Sequence, residues 1–98
     1  MVKYALYVRL QAKPGKEKEV AAFLKSALPL VEAEPGTRAW FALDEDGAGA
    51  FSIFDVFDDE AGRDAHMGGE IAKALMAQAP ELFSNEIKIE TMEILSSK

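Results

Sequence analysis

The sequence predicts an α+β fold, a ferredoxin-like β-α-β-β-α-β sandwich with an antiparallel sheet and both helices packed on one face. Three observations predict it. Apolar residues alternate with period two near both ends and in a central pair of segments, they recur at helical spacing in the two stretches between, and turn-forming residues separate the segments. The 98 residues, 49% of them apolar, supply one hydrophobic core, so residues 1–98 are read as one domain.

Each element has its own signal. From Val2 to Ala12, Tyr4, Leu6, Val8 and Leu10 share one strand face and Lys3, Ala5, Tyr7, Arg9 and Gln11 the other. Lys13-Pro14-Gly15-Lys16 turns the chain into a helix carrying Val20, Phe23, Leu24, Ala27, Leu28 and Val31. Pro29 should loosen its last turns, and Glu34-Pro35-Gly36 closes it, because a residue before Pro avoids helical torsions. Thr37 to Asp44 and Ala50 to Phe57 form a hairpin across an acidic, glycine-containing loop. Asp58 or Asp59 caps the next helix, Met67-Gly68-Gly69 interrupts it, and it resumes over Ile71, Ala72, Leu75 and Met76 to end before Pro80. The last strand is placed near Ile87 to Leu95, with a bulge near Glu90 to reconcile Ile87 and Ile89 with the out-of-phase Met92 and Ile94.

The middle hairpin is apolar on both faces, with Ala39, Phe41 and Leu43 opposite Trp40, and Phe51, Ile53 and Phe57 opposite Phe54 and Val56. Helices cover only one side of such a sheet, and each large side chain left wet forgoes roughly 1.5–3 kcal/mol. The sequence therefore predicts a two-fold homodimer closed through the open sheet faces.

Charge and composition exclude several functions. The net charge is −6, with four basic against thirteen acidic residues from Ala39 onward, so no basic patch offers itself to nucleic acid. No apolar run approaches the ~20 residues of a membrane span, and Arg9 ends the N-terminal apolar stretch too early for a signal peptide, so a soluble cytoplasmic protein is expected. Without Cys and with one His, the chain lacks the ligands for a thiolate or two-histidine metal site. Asp44-Glu45-Asp46-Gly47 has the acidity of a calcium loop but no Glu at its twelfth position, and Gly47-Ala48-Gly49 leads into a strand rather than a phosphate-binding helix.

The candidate chemistry centres on His66, whose ordinary pKa near 6.5 suits a general base for a phenolic proton; the alternative is a half-buried helix residue hydrogen-bonded locally. Asp55 shares a strand face with Phe51, Ile53 and Phe57, which demands a partner. It either orients His66 or holds a substrate hydroxyl, or it is paired structurally with Arg9, Arg38 or a dimer partner. Tyr7, Trp40, Phe54 and Phe57, with Arg9 beside Tyr7, are candidates to line a flat aromatic pocket; the alternative is core packing for Phe54 and Phe57 and an interface for Tyr7. Gly68-Gly69 either opens a gate beside His66 or lets backbone pack closely.

Lys13-Pro14-Gly15-Lys16, Glu34-Pro35-Gly36, Phe54-Asp55-Val56-Phe57-Asp58 and Ala65-His66 together resemble the antibiotic biosynthesis monooxygenase (ABM) superfamily over nearly the whole chain. The resemblance implies a dimeric α+β barrel and oxidation of quinols, anthrones or related phenols by O₂ without metal or flavin. The chain departs from the family pattern at Asp55, where members often carry Glu, at Phe57, at the usual Trp position, and after His66. Two further readings share the fold: a non-catalytic or stress-related module that binds a small aromatic molecule, and haem binding through His66. The Asn and Trp that haem-degrading relatives use are missing here.

Overall fold

A computed structural model describes residues Met1–Lys98. The elements run β1 (Tyr4–Gln11), α1 (Glu17–Ser26), α2 (Leu28–Glu32), β2 (Thr37–Asp44), β3 (Ala50–Phe57), α3 (Glu60–Met67), α4 (Glu70–Leu82) and β4 (Ile89–Glu93). The strands form one antiparallel sheet in the order β2-β3-β1-β4, the ferredoxin-like arrangement. No helix is long and apolar enough to cross a membrane.

The pairing of β1 with β3 sets Leu6 opposite Asp55, Val8 opposite Ile53 and Leu10 opposite Phe51. Alternation then puts these side chains on the helix-covered face, where Val8, Leu10, Phe51 and Ile53 join Val20, Leu24, Leu75 and Leu82 in the core. Pro29 divides the first helical stretch as expected, falling in the first turn of α2 where a missing N–H costs nothing. Asp59 caps α3, its Oδ1 accepting the Gly62 N–H at 2.8 Å. The α3–α4 break lies at Gly68-Gly69, and Gly69 adopts extended torsions before α4. In the acidic hairpin loop, Asp44 and Asp46 carboxylates accept backbone N–H groups of Gly47, Ala48 and Ala50, holding a turn in which Gly47 and Gly49 have positive φ.

Three expectations about the elements need correction. Helix α4 does not stop before Pro80 but runs through it to Leu82. Proline's φ suits a helix, its ring is exposed, and the buried Leu82 and Phe83 hold the last turn against the core, with the Lys13 N–H bonded to the Leu82 carbonyl at 2.8 Å. Strand β4 is shorter than expected and has no bulge at Glu90: its register with β1 is continuous, Ile89 opposite Val8 and Met92 opposite Ala5. Ile89 and Met92 therefore point to opposite faces, and both faces are apolar there, so the change of phase needs no extra residue. The bulge is in β2 instead, where Thr37 and Ala39 face the consecutive residues Phe57 and Val56 and Arg38 is the inserted residue.

On the far side of the sheet lie Ala5, Tyr7 and Arg9, Ala39, Phe41 and Leu43, Phe54 and Val56, and Met92. Phe41 and Leu43 remain 52% and 44% exposed, the apolar open face the sequence predicts.

Candidate functional site

The only histidine stands in the last turn of α3, a short helix held in place at three points. Besides the Asp59 cap, the Arg63 guanidinium lies 5.2 Å from the centroid of the Tyr4 ring, a cation–π contact. Gly62 packs on Gly36 so closely that a β-carbon at Gly36 would fall 2.9 Å from Gly62 Cα. That approach brings the turn before β2 against α3 and presents its carboxylate, Glu34, to the histidine.

The result is a histidine between two carboxylates. His66 Nδ1 lies 2.6 Å from Glu34 Oε1, and His66 Nε2 lies 3.0 Å from Asp55 Oδ2. The Thr37 hydroxyl donates to the same Glu34 oxygen at 2.8 Å. His66 is 8% exposed and Asp55 2%, and the Phe57 ring backs the imidazole at a centroid distance of 5.3 Å. Burial by itself lowers the histidine's pKa, but the hydrogen bonds and charges of Asp55 and Glu34 outweigh it and hold the pKa above the ordinary 6.5. Near neutrality the ring is an imidazolium donating one N–H to each carboxylate. Its charge also sits at the C-terminal end of α3, where a cation is favoured.

This geometry resolves several alternatives. Asp55 pairs with His66 rather than with an arginine: Arg9 lies 3.6 Å from Glu45 and Arg38 3.7 Å from Asp58. Gly69 serves close packing, since a β-carbon there would stand 2.6 Å from Glu34 Oε2. Both ring nitrogens of His66 face carboxylates, so neither is open to a ligand. No three of the histidine and acidic groups converge on a point where a metal ion would sit.

The residues proposed to line one aromatic pocket fall on two sides of the sheet. Trp40, directly opposite Asp55 in the register, and Phe57 share the helix-covered face with His66. Phe57 is fully buried behind the imidazole. Tyr7, Arg9 and Phe54 lie on the open face, Tyr7 opposite Phe54. There the Tyr7 hydroxyl donates to Glu45 at 2.6 Å, a bond that, with the Arg9 charge, holds the Glu45 pKa below the usual carboxylate range. Tyr7, Arg9 and Phe54 therefore cannot share a cavity with His66 within one chain.

Glu34 and Thr37 were not singled out as site residues. Their only signal is a carboxylate directly before Pro35-Gly36 with a hydroxyl residue three positions after it. The bulge at Arg38 is what makes Thr37 and Trp40, three positions apart, face the same side of the sheet.

Beside the triad lies a cavity of about 40 Å³, walled by Trp40, Asp55, His66 and apolar side chains of both layers. Two buried polar atoms of these walls have no partner: Asp55 Oδ1 and Trp40 Nε1. On the other side of Trp40 a groove of about 620 Å³ runs between the first helical pair and β2, lined by Ala21, Leu24, Leu28, Ala42 and Phe51 among others.

Comparison with known proteins places the chain. A protein of unknown function from Nitrosomonas europaea, NE2512, is 56% identical and superposes with a TM-score of 0.95, the match covering 100% of this chain and 94% of that one. Rv0793 from Mycobacterium tuberculosis shares the fold at 20% identity, with a TM-score of 0.85 and 97% of each chain covered. PA3566 from Pseudomonas aeruginosa does so at 18% identity, with a TM-score of 0.82 and coverage of 98% and 97%. No curated protein matches the chain significantly. The profile of the antibiotic biosynthesis monooxygenase family matches residues 3–78, most of the sequence, and the chain belongs to that family.

Proposed function

We propose that this chain is a cofactor-independent monooxygenase that oxidises a quinol, an anthrone or a similar phenol with O₂. The observation that carries the reading is the unpartnered Asp55 Oδ1, a buried acceptor on a carboxylate whose other oxygen is held by His66. Because both ring nitrogens are engaged, the proton acceptor is Asp55 Oδ1 rather than His66 itself, and His66 positions it.

The triad titrates as a unit. With His66 protonated it carries one net negative charge; short of that proton it carries two around a neutral ring. Taking a phenolic proton at Asp55 Oδ1 returns it to one. The electron-rich phenolate then gives an electron to O₂, and recombination forms a carbon–oxygen bond. For an anthrone, loss of water completes the balance: the methylene carbon becomes a carbonyl and the second oxygen leaves as H₂O. Apolar walls support this step by excluding water from the anion.

The test is oxygen uptake by metal-stripped protein with a panel of quinols and anthrones, corrected for autoxidation and read by mass spectrometry. The expected product carries one added oxygen or is a quinone. Asp55→Asn should bring uptake down to autoxidation, and the rate should rise with pH through the raised His66 pKa. Undiminished uptake in Asp55→Asn rejects the acceptor. Thermal stabilisation by the same compounds without product favours the second reading, a binding module, which the small volume beside His66 supports. Haem ligation by His66 has no support, since an axial ligand would have to give up one of its two carboxylate bonds.

We infer further that the working form is a cytoplasmic homodimer. Proteins of this family are commonly dimeric, and the open face with Phe41, Leu43 and Met92 exposed is the surface a second copy would cover.

A further inference from the structure

We propose that Trp40 is a partition between two halves of one ligand site: the groove beside β2 seats an aromatic body, and the cavity beside Asp55 receives its hydroxyl. The proposal rests on the reading above only in taking Asp55 Oδ1 as the open acceptor.

The volumes make the division. Small-molecule sites run to about 300–1,000 Å³, and a single water occupies about 30 Å³ of liquid. The cavity of about 40 Å³ beside His66 therefore has room for a water or a hydroxyl and for no ring. The groove of about 620 Å³ has room for two or three fused rings and is largely apolar. Trp40 forms a wall of both, and its indole packs against both hydrophobic clusters of the core.

The unpartnered atoms name the ligand chemistry. Trp40 Nε1–H is a donor without an acceptor, and Asp55 Oδ1 is an acceptor without a donor. Their residues face each other across β2 and β3 and wall the same cavity. A hydroxyl is a small group that satisfies both at once, accepting from the indole and donating to the carboxylate. A ketone or a methyl ether leaves Asp55 Oδ1 unpaired in a buried site, which is costly. The ligand class is thus a planar aromatic carrying a free hydroxyl at its inner end, admitted past the edge of the indole.

The test is anaerobic calorimetric titration of the full chain with 2-naphthol and with 2-methoxynaphthalene. The naphthol should bind at least about tenfold more tightly, the ratio expected for one hydrogen bond to a charged group. Trp40→Phe keeps the bulk but removes the donor, and should reduce that ratio several-fold. Ala42→Phe, at an exposed strand position that accepts an aromatic residue, should fill the groove and weaken both ligands at least about tenfold. Equal affinities for the two naphthalenes, or unchanged binding in Ala42→Phe, would overturn the proposal. Hydroxyl discrimination in a protein that consumes no oxygen leaves this site standing and the monooxygenase reading fallen. Oxygen uptake that Ala42→Phe leaves intact, without discrimination, does the reverse.

Discussion

The helix-covered face of the sheet holds two carboxylates and a histidine, while the open face exposes Phe41, Leu43 and Met92. Burying charge and exposing apolar surface both oppose stability when taken alone. Each is offset differently. The charges are offset within the chain, by hydrogen bonds that satisfy both imidazolium N–H groups. The apolar patch has no partner in the chain and needs one from outside. Function follows the same division: chemistry belongs to the face that can exclude water, and assembly to the face that cannot.

The largest effect should come from breaking the charged face. His66→Ala leaves Glu34 and Asp55 buried without their shared cation, and removing one partner of a buried pair costs about 3–5 kcal/mol. Urea unfolding should show the midpoint falling with an unchanged slope. A loss below about 1 kcal/mol, the range of exposed pairs, would mean that the two carboxylates do not depend on the histidine.

A smaller effect should come from charging the apolar face. Phe41→Asp adds a carboxylate to an exposed patch, so the isolated fold should barely notice it. The dimer should lose roughly the 1.5–3 kcal/mol that each buried side chain contributes at each of its two copies. Sedimentation should then show monomer where the unmodified chain sediments as dimer; an unaltered dimer would place the interface elsewhere.

The smallest effect is the dependence on pH. The His66 pKa is raised in the folded chain, so its share of stability is complete below about pH 6.5 and is lost as pH rises through the raised value. Thermal melts from pH 6 to 9 should show that decline, and His66→Gln should flatten it. The rate of the proposed reaction runs the opposite way, rising over the same interval. Stability and activity that rose together with pH would break the link between the triad and the chemistry.

Much of this was legible in the sequence because it depends on local chemistry. The Asp59 cap, the Pro29 break and the Gly68-Gly69 interruption each follow from one residue's backbone or side-chain chemistry. The end of α4 was not, because tertiary burial of Leu82 and Phe83 outweighs the local cost of Pro80. Half of the site was legible: Asp55 stood out as a carboxylate among apolar neighbours and His66 as the lone histidine. Glu34 did not, because nothing nearby in sequence marks its turn as the one that α3 packs against. The proposed aromatic pocket was split because period two shows which residues share a face within a strand but leaves open which face the helices cover.

The amino-acid sequence by itself determined the order of elements, the sheet class, the two-sided apolar hairpin and the pair His66 and Asp55, since each rests on periodicity or on a residue's own chemistry. Only the tertiary structure decided that Glu34 completes the site, that the inserted Arg38 turns Thr37 and Trp40 to one side, and that Tyr7, Arg9 and Phe54 look away from it. These depend on register and on the close contact of Gly36 with Gly62, and such contacts join residues that no local pattern connects.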